Sequence, residues 1–575
     1  MSTPAATAAS ALSNASTASA PPADIARAKA MRHAASMLVL RDGPAGMEIL
    51  MMRRPQRDDD RSAGALVFPG GVLDPQDAAL HPLCAGLDDV AASARLQVEA
   101  HGLDYYLCAV REAFEEANLL FAYDASGQMI RLDDLPAEVR QQLREAAAYG
   151  GKGLAHVCDM LGLRLAVDKL AYCAYWLTPP GLAKRFDTRF FMTLLPAGQT
   201  ALHDGVEAVE HRWMRPADVI DPANNLTLVN ATRRILQSIA HFRTAQECFD
   251  HARQVRQVSL VMPRLAAGPK GQRPVMPDEP AYAEIARIDP DGAGHGRYVL
   301  EPGLAVKLSE RVWRVTANNG NVMTGPGTNT YFVAGADNQW AVIDPGPDDA
   351  AHFDAVMAAA PGPVKWILVT HTHLDHSPGS VRLRAATSAP VWGRVTAVKD
   401  RQDQTFAPDH MPAHGDRIAL GPQTTLRVIH TPGHASNHLC FLLEEEKTLF
   451  TGDHVMQGST VVINPPDGDM RAYLASLQAL LDEDLDWIAP GHGFLMPRPH
   501  DAIRLLVRHR QQREAKVLNA LRALAPADLA TLVASVYDDV PASKHPIALR
   551  SLVAHLRKLE ADGVAAEQAG VWKLR

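Results

Sequence analysis

The stretch ILVTHTHLDHSPG constrains this chain more than any other. An apolar run, Trp366 to Thr370, leads directly into His371, His373, Asp375 and His376, so four metal-ligating side chains crowd the end of one β-strand. The rest of the set follows in order: His434 in HTPGHASNH, Asp453 in LFTGDHV and His492 in IAPGHG. Each comes after a short apolar strand pattern and beside glycine, as expected of loops lining one edge of a stacked sheet core. Twelve of the 24 histidines lie between residues 306 and 505. Seven of those, His352, His410, His414, His430, His438, His454 and His500, are read as structural bystanders.

On these residues the segment resembles the metallo-β-lactamase family. The resemblance implies an αββα sandwich and two Zn²⁺, one held by His371, His373 and His434 and a second by Asp375, His376 and His492, with Asp453 bridging. Imidazole and carboxylate suit zinc, and two cations about 3.5 to 4 Å apart would activate water near neutral pH. Asp344, in VIDPGP, is expected to fix a histidine tautomer. Lactamases, glyoxalase II, sulfur dioxygenases and nucleases share this fold, so the fold alone does not choose among them. A dedicated β-lactam hydrolase commonly has Cys at the position of Asp453. GPGTNTYFV, LLEEEKTLFTGDHV and YLASLQALL resemble instead the β-lactamase-like protein 2 type, an endoribonuclease, from about residue 306 to the C-terminus.

A second cluster lies upstream, split in two. FPGGVLDPQD carries Gly70, Gly71 and Asp77; REAFEEANLL carries Arg111, Glu112, Glu115, Glu116 and Leu119. Thirty-three residues, Ala78 to Val110, separate the halves, and DDVAASARLQVEA within them reads as a helix. An insertion costs loop entropy that grows only logarithmically, so it can fold out as a lobe. Glu112, Glu115 and Glu116 stand at i, i+3 and i+4, sharing one helix face suited to Mg²⁺ or Mn²⁺. Together the halves resemble a Nudix box with a long insertion, a branch related to coenzyme A diphosphatases, with the likeness continuing to about residue 250. Asp77 replaces the usual Glu and is a methylene shorter, so its ion pair to Arg111 has further to reach. Asn118 replaces Gly at the helix end, where it tolerates the left-handed conformation. Asp58, Asp59 and Asp60 occupy a region where a basic side chain would help hold phosphate.

A chain of 575 residues requires several cores. Residues 1–30, Ala, Ser, Thr and Pro with little to bury, are expected to be a disordered tail. Residues 31–250 form the Nudix domain, an α/β/α sandwich with its insertion at 78–110. Pro and Gly clusters mark 251–305 as a linker. The metallo-β-lactamase domain spans 306–505, and 506–575 reads as a winged helix: a long helix, a second helix stopped by Gly563, and two short strands around Gly570. The fold class is thus α/β and α+β multidomain. No apolar run offers a membrane span, and six cysteines without a C-x-x-C pair fit a cytoplasmic setting.

The net charge is −8, but from Arg498 onward 13 Lys and Arg face 8 Asp and Glu, an excess of five. Arg504, Arg508, Arg510, Arg513 and Lys516 place much of it on the long helix, next to the His/Asp cluster, which favours a phosphate backbone as partner. The expectation is a bifunctional hydrolase. Asp375 and Asp453 serve phosphodiester cleavage in single-stranded RNA; Glu115 and Glu116 serve cleavage of a nucleoside diphosphate-linked small molecule. Two rivals stand beside it: a glyoxalase II-like thioester or ester hydrolase, and a non-catalytic Nudix nucleotide sensor with a nucleic-acid-recruiting tail.

Overall fold

The computed structural model describes residues 31–56 and 63–575. The expectations for residues 1–30 and for Asp58, Asp59 and Asp60 lie outside that range. The chain divides into two compact units, Met1–Pro263 and Arg264–Arg575.

In the first unit, strands Arg32–Gly43 and Gly46–Arg53 form a hairpin through the DGPAG turn and belong to an eight-stranded sheet. Arg32–Gly43 also pairs in parallel with Phe186–Leu194 and antiparallel with the short strand Gly70–Val72. Helix Gly102–Ala117 crosses this sheet, and 14 of its 16 residues are buried. It begins nine residues before Arg111, inside the insertion. The insertion is therefore no outward lobe. Asp88 caps helix Asp89–Leu96, whose Asp89 carboxylate accepts the amides of His101 and Leu103 at the start of the next helix. A Cβ on Gly102 would lie 2.3 Å from the Ser93 nitrogen, so only glycine allows the two helices to meet there. Ala92, Leu96, Leu103, Tyr106 and Leu107 then join the core, a burial that favours packing the insertion inward.

The second unit holds two six-stranded sheets. One runs in the order Val306–Lys307, Val312–Thr316, Asn329–Ala334, Trp340–Ile343, Val364–Leu368 and Val391–Trp392. The other runs Arg417–Gly421, Thr424–His430, Leu439–Leu443, Thr448–Gly452, Trp487–Pro490 and Met496–Pro497. Alternation along each strand divides its side chains between two cores. Tyr331, Val333, Ile343 and Leu368 meet Val428, Phe441 and Phe450 between the sheets. Phe332, Val342 and Ile367 face helices Ala350–Ala359 and Gly379–Thr387, while Cys440, Leu442 and Ile488 face Met470–Ala479 and Pro499–Leu524. With both faces of each sheet covered, inner strands such as Trp340–Ile343 and Leu439–Leu443 read as continuous apolar runs, giving the expected αββα layering.

The boundary between the two units, Pro263 to Arg264, falls within residues 251–305, yet the segment contributes elements to each unit instead of standing as a bare linker. Its Pro and Gly residues turn a chain that is otherwise packed: Leu260–Val261 extends the first sheet, and helix Tyr282–Ile288 places Glu284 against Arg314 at 2.7 and 2.8 Å. Both side chains are 2% exposed, and Glu284 also accepts the Leu495 amide.

Helix Pro499–Leu524 runs unbroken across the expected boundary at 505/506 and shares its apolar residues between two cores. After it come strand Ala527–Asp528, helix Leu529–Val536, helix His545–Ala561 and the hairpin Ala565–Gln568 with Val571–Leu574. Leu521, Leu532, Leu552, Leu556 and Trp572 form the centre of this winged helix. Among the described residues no helix is long and apolar enough to cross a membrane.

Candidate metal centre and candidate Nudix site

Each residue of the His/Asp cluster leaves the same edge of the sandwich. His371, His373, Asp375 and His376 follow strand Val364–Leu368; His434 follows Thr424–His430, Asp453 follows Thr448–Gly452, and His492 follows Trp487–Pro490. Gly491 is required between two of these loops, because a Cβ there would stand 2.8 Å from an Asp453 oxygen.

The structure brings all seven together as two groups sharing Asp453. In one, His371 Nε2 and His434 Nε2 converge on His373 Nδ1 at 2.9 and 3.0 Å. In the other, His492 Nε2 lies 3.1 Å from Asp453 Oδ1 and 3.4 Å from Asp375 Oδ2, and His376 Nε2 lies 3.3 Å from Asp375. Asp453 turns Oδ1 to the second group and Oδ2 to His434 in the first, 3.7 Å away.

The outer face of each ring is tied down. His376 Nδ1 meets Asp344 at 2.8 Å, His434 Nδ1 the Val462 carbonyl at 2.9 Å, and His492 Nδ1 the Gly327 carbonyl at 3.1 Å. His371 Nδ1 meets Thr370 Oγ1, whose hydroxyl donates to Asp344. These contacts aim the remaining nitrogens inward. Thr328 donates to Asp375 at 3.2 Å. Among the described residues, buried His376 Nε2, His492 Nε2 and Asp453 Oδ1 make no hydrogen bond, and three imidazole nitrogens meet with too few protons to bridge them. A cation resolves both faults, so the donor set fits a metal.

Burial, then neighbouring imidazoles, hold His371 far below the usual histidine range and push His373 down to about 3. Burial opposes charge on His376 and His492 as well, yet Asp375 and Asp453 raise both, His492 to about 10. Cations set among these atoms would take the place of those protons. Of the expected bystanders, His352 bonds Thr330, while His438 and His454 are fully buried behind the cluster.

In the first unit Arg111 organises the carboxylates. Its Nε donates to Asp77 at 2.7 Å and its Nη2 reaches the same carboxylate at 3.2 Å. Asp77 itself is fully buried at the start of the turn Asp77–Leu83, so the shorter side chain still reaches Arg111. Arg111 Nη1 also donates to Glu112 at 2.7 Å and Glu115 at 3.2 Å. A Cβ on Gly71 would collide with Glu112 at 2.3 Å, and the Gly70 amide donates to Glu116 at 3.1 Å. Asn118 ends the helix at φ 53°, as its side chain allows.

The third metal-competent group differs from expectation: it is Glu112, Glu116 and Glu207, without Glu115. Residues four apart stack along a helix, so Glu116 lies over Glu112 while Glu115 lies over Arg111. Glu207 is exposed in a turn held by Asp204, ahead of strand Glu210–Met214. Its only sequence signal is an acid at the Asp204–Gly205 turn. Burial pushes Glu112 up to about 7 against the pull of Arg111, and pushes Glu116 well above the carboxylate range. Carboxylates so crowded suit a hard cation.

Arg504, Arg508, Arg510, Arg513 and Lys516 of the long helix do not form an exposed stripe. Arg510 is buried and donates to the Val461 carbonyl; Arg513 pairs with Asp539 at 2.9 Å, Lys516 with Asp538 at 2.8 Å, and Arg504 with Asp501 at 3.5 Å. Arg508 is exposed.

Family models match the chain in three places: the metallo-beta-lactamase superfamily at residues 323–492, the NUDT19 Nudix domain at 97–228, and the beta-lactamase associated winged helix domain at 529–572. The Nudix match begins downstream of Gly70, Gly71 and Asp77. A "Beta-lactamase-like protein 2 homolog" of Drosophila melanogaster is 32% identical over 273 residues, 45% of this chain and 90% of the relative. An "Atrochrysone carboxyl ACP thioesterase" of Passalora fulva is 30% identical, over 45% of this chain and 78% of that protein. A Nudix hydrolase structure from Alicyclobacillus acidocaldarius is 25% identical, covers 39% of this chain and 96% of its own, and has a TM-score of 0.32.

Proposed function

Because this chain belongs to the metallo-beta-lactamase superfamily, in its beta-lactamase-like protein 2 branch, and carries a NUDT19-type Nudix domain, we propose that it is a bifunctional metal-dependent hydrolase whose second unit cleaves a thioester or related ester. His371, His373 and His434 would hold one Zn²⁺ and Asp375, His376 and His492 the other, with Asp453 shared between the two groups. Zinc supplies Lewis acidity and lowers the pKa of water to about 7. Asp344 holds His376 in the tautomer that leaves Nε2 free, and Thr328 orients Asp375.

The observation that carries the ester reading is the cleft. The cluster opens into a cavity of about 530 Å³ lined by Met323, Leu374, Met456 and Tyr537 as well as by polar groups. That size and mixture suit a small substrate with an apolar body. A similar ACP thioesterase adds support. The RNA reading rests on the excess of five basic residues next to the cluster; four of the five on the long helix, however, already have acceptors inside the protein. Purified protein assayed on an acyl-pantetheine thioester and on labelled single-stranded RNA decides between them. Hydrolysis of the thioester alone is expected; cleavage of RNA alone overturns the ester reading.

In the first unit Glu112, Glu116 and Glu207 hold Mg²⁺ or Mn²⁺ against a diphosphate, and Glu115 acts by holding Arg111. Absence of diphosphate hydrolysis with either ion would favour a nucleotide sensor. Six unpaired cysteines support a cytoplasmic location.

A further inference from the structure

The cavity that holds the His/Asp cluster is walled on its far side by the winged helix. Helix Leu529–Val536 is followed by Tyr537 and Val540, Lys544 immediately precedes helix His545–Ala561, and Ile547 and Arg550 come from its first two turns; all five line the same space as His434 and Asp453. The charges in this wall are unevenly committed. Arg401 has Asp400 at 3.7 Å, Arg510 donates to the Val461 carbonyl, and Arg513 is held by Asp539 and the Val536 carbonyl. Of the acids that line it beyond the cluster, Asp400 faces Arg401, and Asp467 accepts from Thr396, Gln402 and Ser436.

Lys544 and Arg550 are different. Both line the cavity, and among the described residues neither side chain has an ion-pair or hydrogen-bond partner. Arg550 is half-buried, where an unpaired guanidinium forfeits hydration without recovering it. Two unanswered cations beside an apolar wall, across a cavity from a hydrolytic cluster, describe a receptor for a substrate with one anionic end.

Resting on the ester reading above, we propose that Lys544 and Arg550 of the winged helix bind a single terminal phosphate of the substrate, while Tyr537, Val540 and Ile547 contact its apolar portion. The winged helix is then a wall of the active site that selects substrates, and two cations fit one phosphate monoester better than a polyanionic strand.

The test uses the full chain and two probes that differ only in that phosphate, decanoyl-pantetheine 4′-phosphate and decanoyl-pantetheine. Wild type should prefer the phosphorylated probe in kcat/KM by about tenfold or more, the worth of a charge-assisted contact. In Lys544→Ala/Arg550→Ala the ratio should fall to about one, with KM carrying the change. Arg550→Lys, which keeps the charge, should retain part of the preference, and Arg522→Ala, on the same unit but outside the cavity, should retain all of it. Calorimetric binding of pantetheine 4′-phosphate itself, which has no bond to cleave, tests the anion site apart from the ester reading: the double variant should bind at least about tenfold more weakly. A melting curve matching wild type ensures that the loss is local. Equal selectivity and equal phosphate binding in wild type and double variant, or no phosphate binding by wild type, overturn the proposal. So does a short RNA that displaces the probe at about a hundredth of its concentration, since that assigns the two cations to a strand.

Discussion

The two candidate metal sites achieve similar ends by opposite constructions. In the second unit, four strand-end loops each deliver one or more side chains, and the outer nitrogens of His371, His376, His434 and His492 are fixed by a hydroxyl, a carboxylate or a carbonyl. In the first unit, Glu112 and Glu116 come from one helix, and the third acid comes from an exposed turn. The His/Asp arrangement is held by contacts within the protein, whereas the carboxylate arrangement takes one ligand from an exposed turn. Preorganisation should therefore make the His/Asp centre hold metal through dialysis, while the carboxylate site exchanges it.

The largest effect is expected where one side chain serves both halves of a centre. Asp453→Ala should reduce metal content from about two ions per chain to about one and lower ester hydrolysis by about a thousandfold or more, with diphosphate hydrolysis retained. Metal analysis beside both assays checks this, and full ester activity in the variant would refute the bridging role.

Next comes the division of labour on helix Gly102–Ala117. Glu116→Gln should lower diphosphate hydrolysis by about a hundredfold or more, and Glu115→Gln by about tenfold, through looser placement of Arg111. Equal losses would restore Glu115 to the ligand set.

A smaller effect is expected from Asp344→Asn, which keeps the shape but weakens the hold on His376. Metal affinity should drop by about ten- to a hundredfold, measured by competition with a chelator, as for other residues that orient a ligand. The smallest belongs to Arg508→Glu, which should change ester kcat/KM by less than about twofold. Arg504, Arg513 and Lys516 near it on the helix are ion-paired and Arg510 is buried against a carbonyl, so no basic stripe surrounds it. A steep loss of RNA binding in this variant would revive a nucleic-acid role for the helix.

Legibility differed between the regions for a physical reason. His371, His373, Asp375 and His376 fall within six residues of one loop, and glycine and an apolar strand mark each of the other ligands, so local pattern indicated the cluster. In the Nudix part, spacing along a helix put Glu112, Glu115 and Glu116 on one face, but spacing does not say which neighbours an arginine captures. Glu207 carries no helical pattern at all. Residues 251–305 misled because Pro and Gly mark turns equally well in a linker and in packed structure; the buried Glu284 to Arg314 pair is a contact across 30 residues that composition does not encode.

By itself, the sequence determined the order of helix, helix and hairpin in the winged helix, because hydrophobic period and turn residues act over short distances, while the Nudix-like part and the two-sheet sandwich were legible through the resemblance their motifs carry. It also determined the identities of the histidines and aspartates at the strand ends. Tertiary structure alone decided that the insertion packs inward, that Glu207 lies with Glu112 and Glu116 while Glu115 turns to Arg111, and that four basic residues of the long helix find acceptors while Lys544 and Arg550, beside the cleft, have none among the described residues. Those outcomes depend on which side chains meet across long loops, and burial and electrostatics settle that only when the whole chain is folded.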